Sequence, residues 1–292
     1  PFLRGTVVAE ACYSTQNPAA GEYSLCPGRA TATTASGAAA YCYDNTYGNW
    51  ACDHGTHVAG IAVGRGGNQT FSGVAKGGNL IPIQVFTWDV YSSDSFAYFS
   101  DINRGLQRVI DLHNAGVKIA AVNMSLGGGS YTIQSTCDSA NLSTKALIDT
   151  LKSKGIATVI ASGNESKTNA ISAPGCISSA VSVGATWDTS GWTCSGSSSA
   201  QDKVACYSNT ASFLDLLAPG SAIDASVPTS TYATYHGTSM ATPHVAGCWA
   251  LLKAAKPDAS VDAIEAALKN TGKAVSDYRA TSIVKPRIDC HA

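Results

Sequence analysis

Residues 143–164 read STKALIDTLKSKGIATVIASGN. Ser143 suits a helix N-cap, an amphipathic pattern comes after it, and Gly155 stops it. The run from Ile156 to Ala161 then shows no polar alternation, the mark of a strand covered on both faces. The same unit recurs on either side. Upstream, DINRGLQRVIDLHNAG (101–116) places Ile102, Leu106, Val109, Ile110 and His113 on one helical stripe and ends at Gly116. KIAAVNMSLG (118–127) comes next as a second strand of the fully buried kind, and AVSVGAT (180–186) is a third. NLIPIQVF (79–86) opens the series. Strands alternating with helices predict an α/β fold, a mainly parallel sheet with helices on both faces. In such sheets sites gather at the carboxyl ends of the strands, and here those ends read NMSLGGG and ASGNES.

Composition narrows the function classes. The 292 residues are 45% hydrophobic and 13% charged, which fits a packed core and not a disordered chain. A formal charge of -1, with no Lys/Arg run, gives no electrostatic support for nucleic acid or an anionic membrane. No apolar stretch approaches the 18 or so residues that span a bilayer. Neither internal repeats nor a low-complexity linker divides residues 1–292, so one domain is expected.

There are ten cysteines and no CxxC pair, which points to disulfides and an oxidising compartment over a zinc site. Near neighbours are expected to pair: Cys12 with Cys26, Cys42 with Cys52 and Cys194 with Cys206. That leaves Cys137, Cys176, Cys248 and Cys290 for longer bridges. The segment from Cys12 to Cys52 has no sustained period and reads as a long stapled loop.

Three stretches carry chemistry. In DHGTHVAGIAVG (53–64), His54 starts a helix whose small residues, Gly55, Ala59, Gly60 and Ala62, allow tight packing. His57 stands one turn on. The pair could share a metal, but the Glu of a zinc-peptidase helix is missing, and a structural role for His57 is the simpler reading. In YHGTSMATPHVAGCWALLKAAKP (235–257), Ser239 lies where a helix begins, with Pro243 suited to its first turn. A serine there caps a helix or, with Gly237 before it and small residues after it, presents its hydroxyl at a surface. In VIASGNES (159–166), Asn164 either makes a turn or aims its NH₂ into a cleft.

Together these stretches resemble the subtilisin-like serine proteases, the peptidase S8 or subtilase family, of secreted bacterial type. HGTHVAG matches that family's His motif, GTSMATPHVAG its Ser motif, ASGN its oxyanion Asn and VNMSLGG its substrate-binding strand, in the family's order. The resemblance implies a three-layer subtilisin-like fold and a secreted, extracellular endopeptidase. Ser239 is then the nucleophile, His54 the general base and acid, and Asn164 the oxyanion donor. Ser125, Leu126 and Gly127 would pair with the substrate backbone, and Ala161 and Gly163 would border the pocket before the scissile bond. His236, where the family more often has a small residue, reads as the cap of a turn, and Met240 as an oxidation target. The resemblance further implies protein or peptide substrates, a cleaved pro-region, a monomer and no cofactor for the chemistry. Structural calcium is common in the family, but GRGGNQTFSG (64–73) offers few ligands.

One member of the expected triad has no counterpart. The family's Asp ends a first core strand in an apolar-apolar-Asp-Thr/Ser-Gly motif, and none occurs before His54. Asp53 adjoins His54 and points elsewhere, and Asp44 lies in the Cys-rich loop. Glu10, in GTVVAEACYS (5–14), comes after an apolar run but has the wrong flanks. PFLRGTVV (1–8) resembles the stretch on the carboxyl side of the family's Asp motif. The expectation is therefore that the Asp lies upstream of Pro1, that the first catalytic strand is absent, and that these residues alone are weakly active or inactive. Two alternatives stand beside it: a triad completed by Glu10, and an impaired subtilisin fold kept as a peptide-binding module.

Overall fold

The computed structural model describes residues 2–3, 5–40, 53–66 and 70–290. Strand β1 (Ala11–Tyr13) pairs antiparallel with Ala32–Thr33 on one side and parallel with β2 (Ile83–Gln84) on the other. Helix α1 (Asp53–Val63) comes before β2, and α2 (Phe99–Asn114) after it. Next come β3 (Ala121–Met124), α3 (Gln134–Ala140), α4 (Leu142–Ser153), β4 (Ala157–Ala161), β5 (Val181–Trp187) and β6 (Leu216–Ser221). The hairpin of β7 (Ile223–Val227) and β8 (Thr231–Tyr235) leads into the long helix α5 (Thr238–Ala255). Helix α6 (Val261–Thr271) and the hairpin of β9 (Lys273–Ser276) and β10 (Val284–Arg287) complete the fold.

The main sheet has the order β9-β10-β6-β5-β4-β3, and all its pairs are parallel except β9 with β10. Every residue of β4 and β5 is buried, as their unbroken apolar runs require. Alternate side chains feed two cores. Ala157 and Val159 meet Val245 and Trp249 of α5 and Ile264 and Leu268 of α6. Ile160 meets Ile102 and Leu106 of α2 and Ile148 and Leu151 of α4. The result is a three-layer α/β sandwich. Each fully buried Leu, Ile or Val contributes about 1.5–3 kcal/mol.

Two local expectations need correction. Ser143 is not the cap of α4; the helix starts at Leu142, and Asn141 holds the cap position. Helix α3 ends directly against it, and Asn141 Nδ2 donates back to Cys137 O at 2.8 Å. Nor is β3 buried on both faces: Ala121, Val122 and Asn123 are only half-buried. β3 is the last strand of its sheet, and β2 is the last strand of the other. Both line one groove of about 2060 Å³. Among the described residues no strand lies between them.

Four disulfides join described residues: Cys12–Cys26, Cys137–Cys176, Cys194–Cys206 and Cys248–Cys290. Two of these were expected as local pairs, and the other two are the long-range bridges. Cys42 and Cys52 lie outside the described residues. A buried ion pair anchors the end of the chain, where Asp277 takes the Arg279 guanidinium side-on. Arg279 also donates to Cys206 O and Ser208 O.

Candidate active site

Helix α5 begins at Gly237, whose N–H is held by Gly220 O at 2.8 Å. Thr238 and Ser239 therefore stand in its first turn, where backbone N–H groups have no acceptor inside the helix. Pro243 sits in the second turn and not, as its preference suggests, in the first. It has no N–H, so the carbonyl of Ser239, four residues back, lacks its helical donor. Ser125 supplies one: its Oγ donates to Ser239 O at 2.7 Å. Ser239 Oγ in turn reaches Ser125 O at 3.4 Å. The end of β3 and the start of α5 are thus tied at the expected nucleophile.

Asn164 lies just past β4 at the adjacent strand end. Its Oδ1 accepts from Thr238 N–H at 2.9 Å and from Thr238 Oγ1 at 3.0 Å. With its oxygen committed, its NH₂ turns the other way. A Cβ built on Gly237 would lie 3.5 Å from Ser239 N and 3.7 Å from Asn164 Nδ2. The two donors therefore flank one small volume, which glycine leaves open.

His54 enters from the first turn of α1, packed close to β7 because Gly60 has no side chain: a Cβ there would lie 2.5 Å from Ser226 Oγ. Gly55, expected to help this packing, meets nothing within 4 Å. His54, Asn164, Tyr235 and Ser239 border two cavities at once. The first is the large groove, which also takes in Ser125, Leu126, Gly127, Ala161 and Gly163. The second, of about 350 Å³, adds Thr234, His236 and Met240. All eight residues picked out from the sequence thus reach one cleft, although no hydrogen bond joins His54 to Ser239.

Burial, and after it the neighbouring His57, pushes the His54 imidazole down to about 4. No described carboxylate pulls it back up. Burial raises Asp53, whose Oδ1 is unpartnered and which acts on Tyr235. Glu10 is engaged elsewhere: its two oxygens accept from Gly37 N–H at 2.9 Å and Ala39 N–H at 3.1 Å. Asp44 lies outside the described residues.

His57 is buried, its Nε2 is 2.9 Å from Ala233 O, and its ring stacks on Tyr235 at 4.4 Å. His236 accepts from Ala222 N–H at Nδ1, 3.1 Å away, and meets Trp187 and Trp192 edge to face. Met240 is 1% exposed, packed with Val58, Ile61 and Ile223. Among the described residues no three His, Cys, Asp or Glu side chains converge as metal ligands, so no calcium site is assigned. Two residues were missed from the sequence. Thr238 is visible only as the neighbour of Ser239, and Glu165, lining the groove beside Gly163, only as the neighbour of Asn164.

Known proteins resemble the chain along most of its length. The subtilase family pattern matches residues 30–284. The chain is 36% identical over 217 residues to an extracellular serine proteinase of Thermus sp. (strain Rt41A), covering 74% of this chain and 44% of that protein. It is 34% identical over 218 residues to subtilisin BL of Lederbergia lenta, covering 75% of this chain and 69% of that protein. The chain thus spans less than half the length of the first relative. Among solved structures, sphericase superposes with a TM-score of 0.69 at 25% identity, over 93% of this chain and 78% of that one. A cold adapted subtilisin-like serine proteinase superposes at 0.60 with 28% identity, over 83% of this chain and 78% of that one. Ordered motifs, a parallel three-layer fold and a match over most of its length lead to one conclusion: the chain belongs to the subtilase family.

Proposed function

We propose that this chain carries the catalytic machinery of a secreted serine endopeptidase acting on proteins or peptides. Ser239 Oγ attacks the scissile carbonyl while His54 takes its proton, and the C–O bond that forms gives a tetrahedral oxyanion. Ser239 N–H and the Asn164 NH₂ receive that oxyanion. Protonation of the leaving amine by His54 releases the first product, and water hydrolyses the acyl-enzyme by the same route. The observation that carries this reading is the convergence of Ser239 N and Asn164 Nδ2 on the volume beside Gly237. Ser125–Gly127 would hold the substrate backbone as an added strand, with Ala161 and Gly163 at the pocket. A cleaved pro-region and a monomeric state belong to the same proposal, and the disulfides support export to an oxidising compartment.

A base held near 4 accepts a proton poorly at neutral pH, so catalysis needs a carboxylate beside His54. The reading places that acid at the open end of the groove between β2 and β3. A second reading, an impaired subtilisin fold that binds peptides, draws on the absence of a carboxylate at His54 among the described residues. A fluorophosphonate probe separates the two. Applied to the protein as its host makes it, the probe should label Ser239 and abolish peptide hydrolysis; peptide binding without labelling would leave only the second reading.

A further inference from the structure

Two cavities meet at His54, Asn164 and Ser239, and they divide the cleft. The large groove holds Ser125, Leu126 and Gly127, the stretch proposed above for the substrate backbone. The smaller cavity holds none of them and adds Thr234, His236 and Met240, which places it on the leaving-group side of Ser239. His236 links this cavity to two further rings. Its Nδ1 accepts from Ala222 N–H at 3.1 Å, which fixes the imidazole. Trp187, buried at the end of β5, meets it edge to face at 5.9 Å. Trp192 meets it in the same way at 4.9 Å and stays 45% exposed. That indole stands on a fixed backbone. Its N–H donates to Ser199 Oγ at 2.9 Å, and its carbonyl accepts from Ser199 N–H at 2.7 Å. These bonds close the base of a hairpin in which Thr193–Cys194 pairs with Ser197–Ser198. Cys194 is bridged to Cys206, and Lys203 Nζ donates to Ser197 Oγ and Ser198 O, both at 2.7 Å. A ligand that settles on Trp192 therefore has little loop to order.

We infer that Trp192 is a specificity-determining residue, which together with His236 receives an aromatic side chain on the second substrate residue past the scissile bond. The assignment rests on the catalytic reading above. The first leaving-group residue occupies the cavity beside Tyr235 and Met240. An extended chain advances about 3.3 Å per residue, and with the reach of a side chain this covers the step from the His236 ring to the indole. The ring planes of Trp192 and His236 stand at 66° to each other and so form a corner. A third ring set in that corner meets one wall by its face and the other by its edge, the arrangement aromatic pairs prefer. An aliphatic or charged side chain gains no such contact, so the chemistry selected is an aromatic residue just beyond the cut.

The test uses the protein as its host makes it and peptides with a constant acyl half, carrying Phe or Ala at the first, second or third position past the scissile bond. Phe at the second position should raise kcat/KM about tenfold over Ala. That preference should vanish in Trp192→Ala and persist in Trp192→Phe, whose ring keeps the wall. His236→Ala, which removes the other wall, should lower it too. Each variant is read as a Phe-to-Ala ratio, so a general loss of activity does not imitate the result. No preference at the second position, or one that Trp192→Ala retains, overturns the assignment. Fluorophosphonate labelling of the same samples reports the catalytic reading separately. Binding of the peptides to Ser239→Ala protein, followed by fluorescence anisotropy, keeps the two failures apart. A Trp192-dependent preference for Phe in binding, without labelling of the wild type, keeps the aromatic subsite and removes its role in hydrolysis. Labelling without that preference removes the subsite alone.

Discussion

At the scale of single residues, the link between Ser125 and Ser239 is the least replaceable contact near the site. Pro243 removes the donor that Ser239 O would otherwise have, and Ser125 Oγ is its substitute. Ser125→Ala strands a carbonyl in a part-buried place and should cost about 1–3 kcal/mol of stability in urea unfolding. Pro243→Ala restores an N–H four residues on. In a double-mutant cycle it should recover more stability in the Ser125→Ala background than in the wild type. Equal effects in both backgrounds would separate the two residues. This coupling spans 114 residues and two elements, so no local pattern announces it. His54, Asn164 and Ser239 were legible because their helix starts and strand end are written in adjacent residues. The state of the His54 imidazole was not, since burial and His57 set it only in the folded chain.

At the scale of elements, β4 and β5 were legible from their apolar runs, whereas the half-buried state of β3 was not. Its run is as apolar as theirs; what differs is the neighbour, and a strand's neighbour is a tertiary fact. The two long bridges show the same limit, because spacing along the chain does not reveal which distant cysteines meet. One of them carries a measurable load. Cys248, buried in α5, holds Cys290 across a sequence separation of 42, fastening the segment after β10 to the central helix. Replacing both by Ser should cost about 4 kcal/mol on chemical denaturation, since the open chain gains the freedom the bridge removed. The Asp277–Arg279 pair acts on the neighbouring hairpin, so denaturant sensitivity should rise without loss of the β9–β10 exchange protection that this pair supports.

At the scale of the whole molecule, four histidines share one trend. Burial is the first cause that lowers His54, His57, His236 and His244, and His54 reaches about 4; His236 stands at the surface, where water screens its share, so the other three carry the effect. The unfolded chain, with imidazoles near the ordinary 6.5, binds more protons than the folded one below that pH. Their contribution is therefore complete above about 6.5 and is lost as pH falls toward 4. Urea midpoints measured from about pH 7.5 to 4.5 should decline steadily. The lowered carboxylates Asp149 and Asp202 add their loss only near and below the ordinary value of 3.8, so the two windows separate. A flat profile between about pH 7 and 5 would contradict the lowering of these imidazoles. The position of β3 acts at this scale too. Among the described residues β3 pairs only with β4, so its other edge presents backbone groups that another copy of the chain can satisfy. With a net charge of only -1, little repulsion keeps copies apart. An exposed edge of this kind makes crowding and storage hazardous, and whatever covers it also guards the protein against polymerising through it.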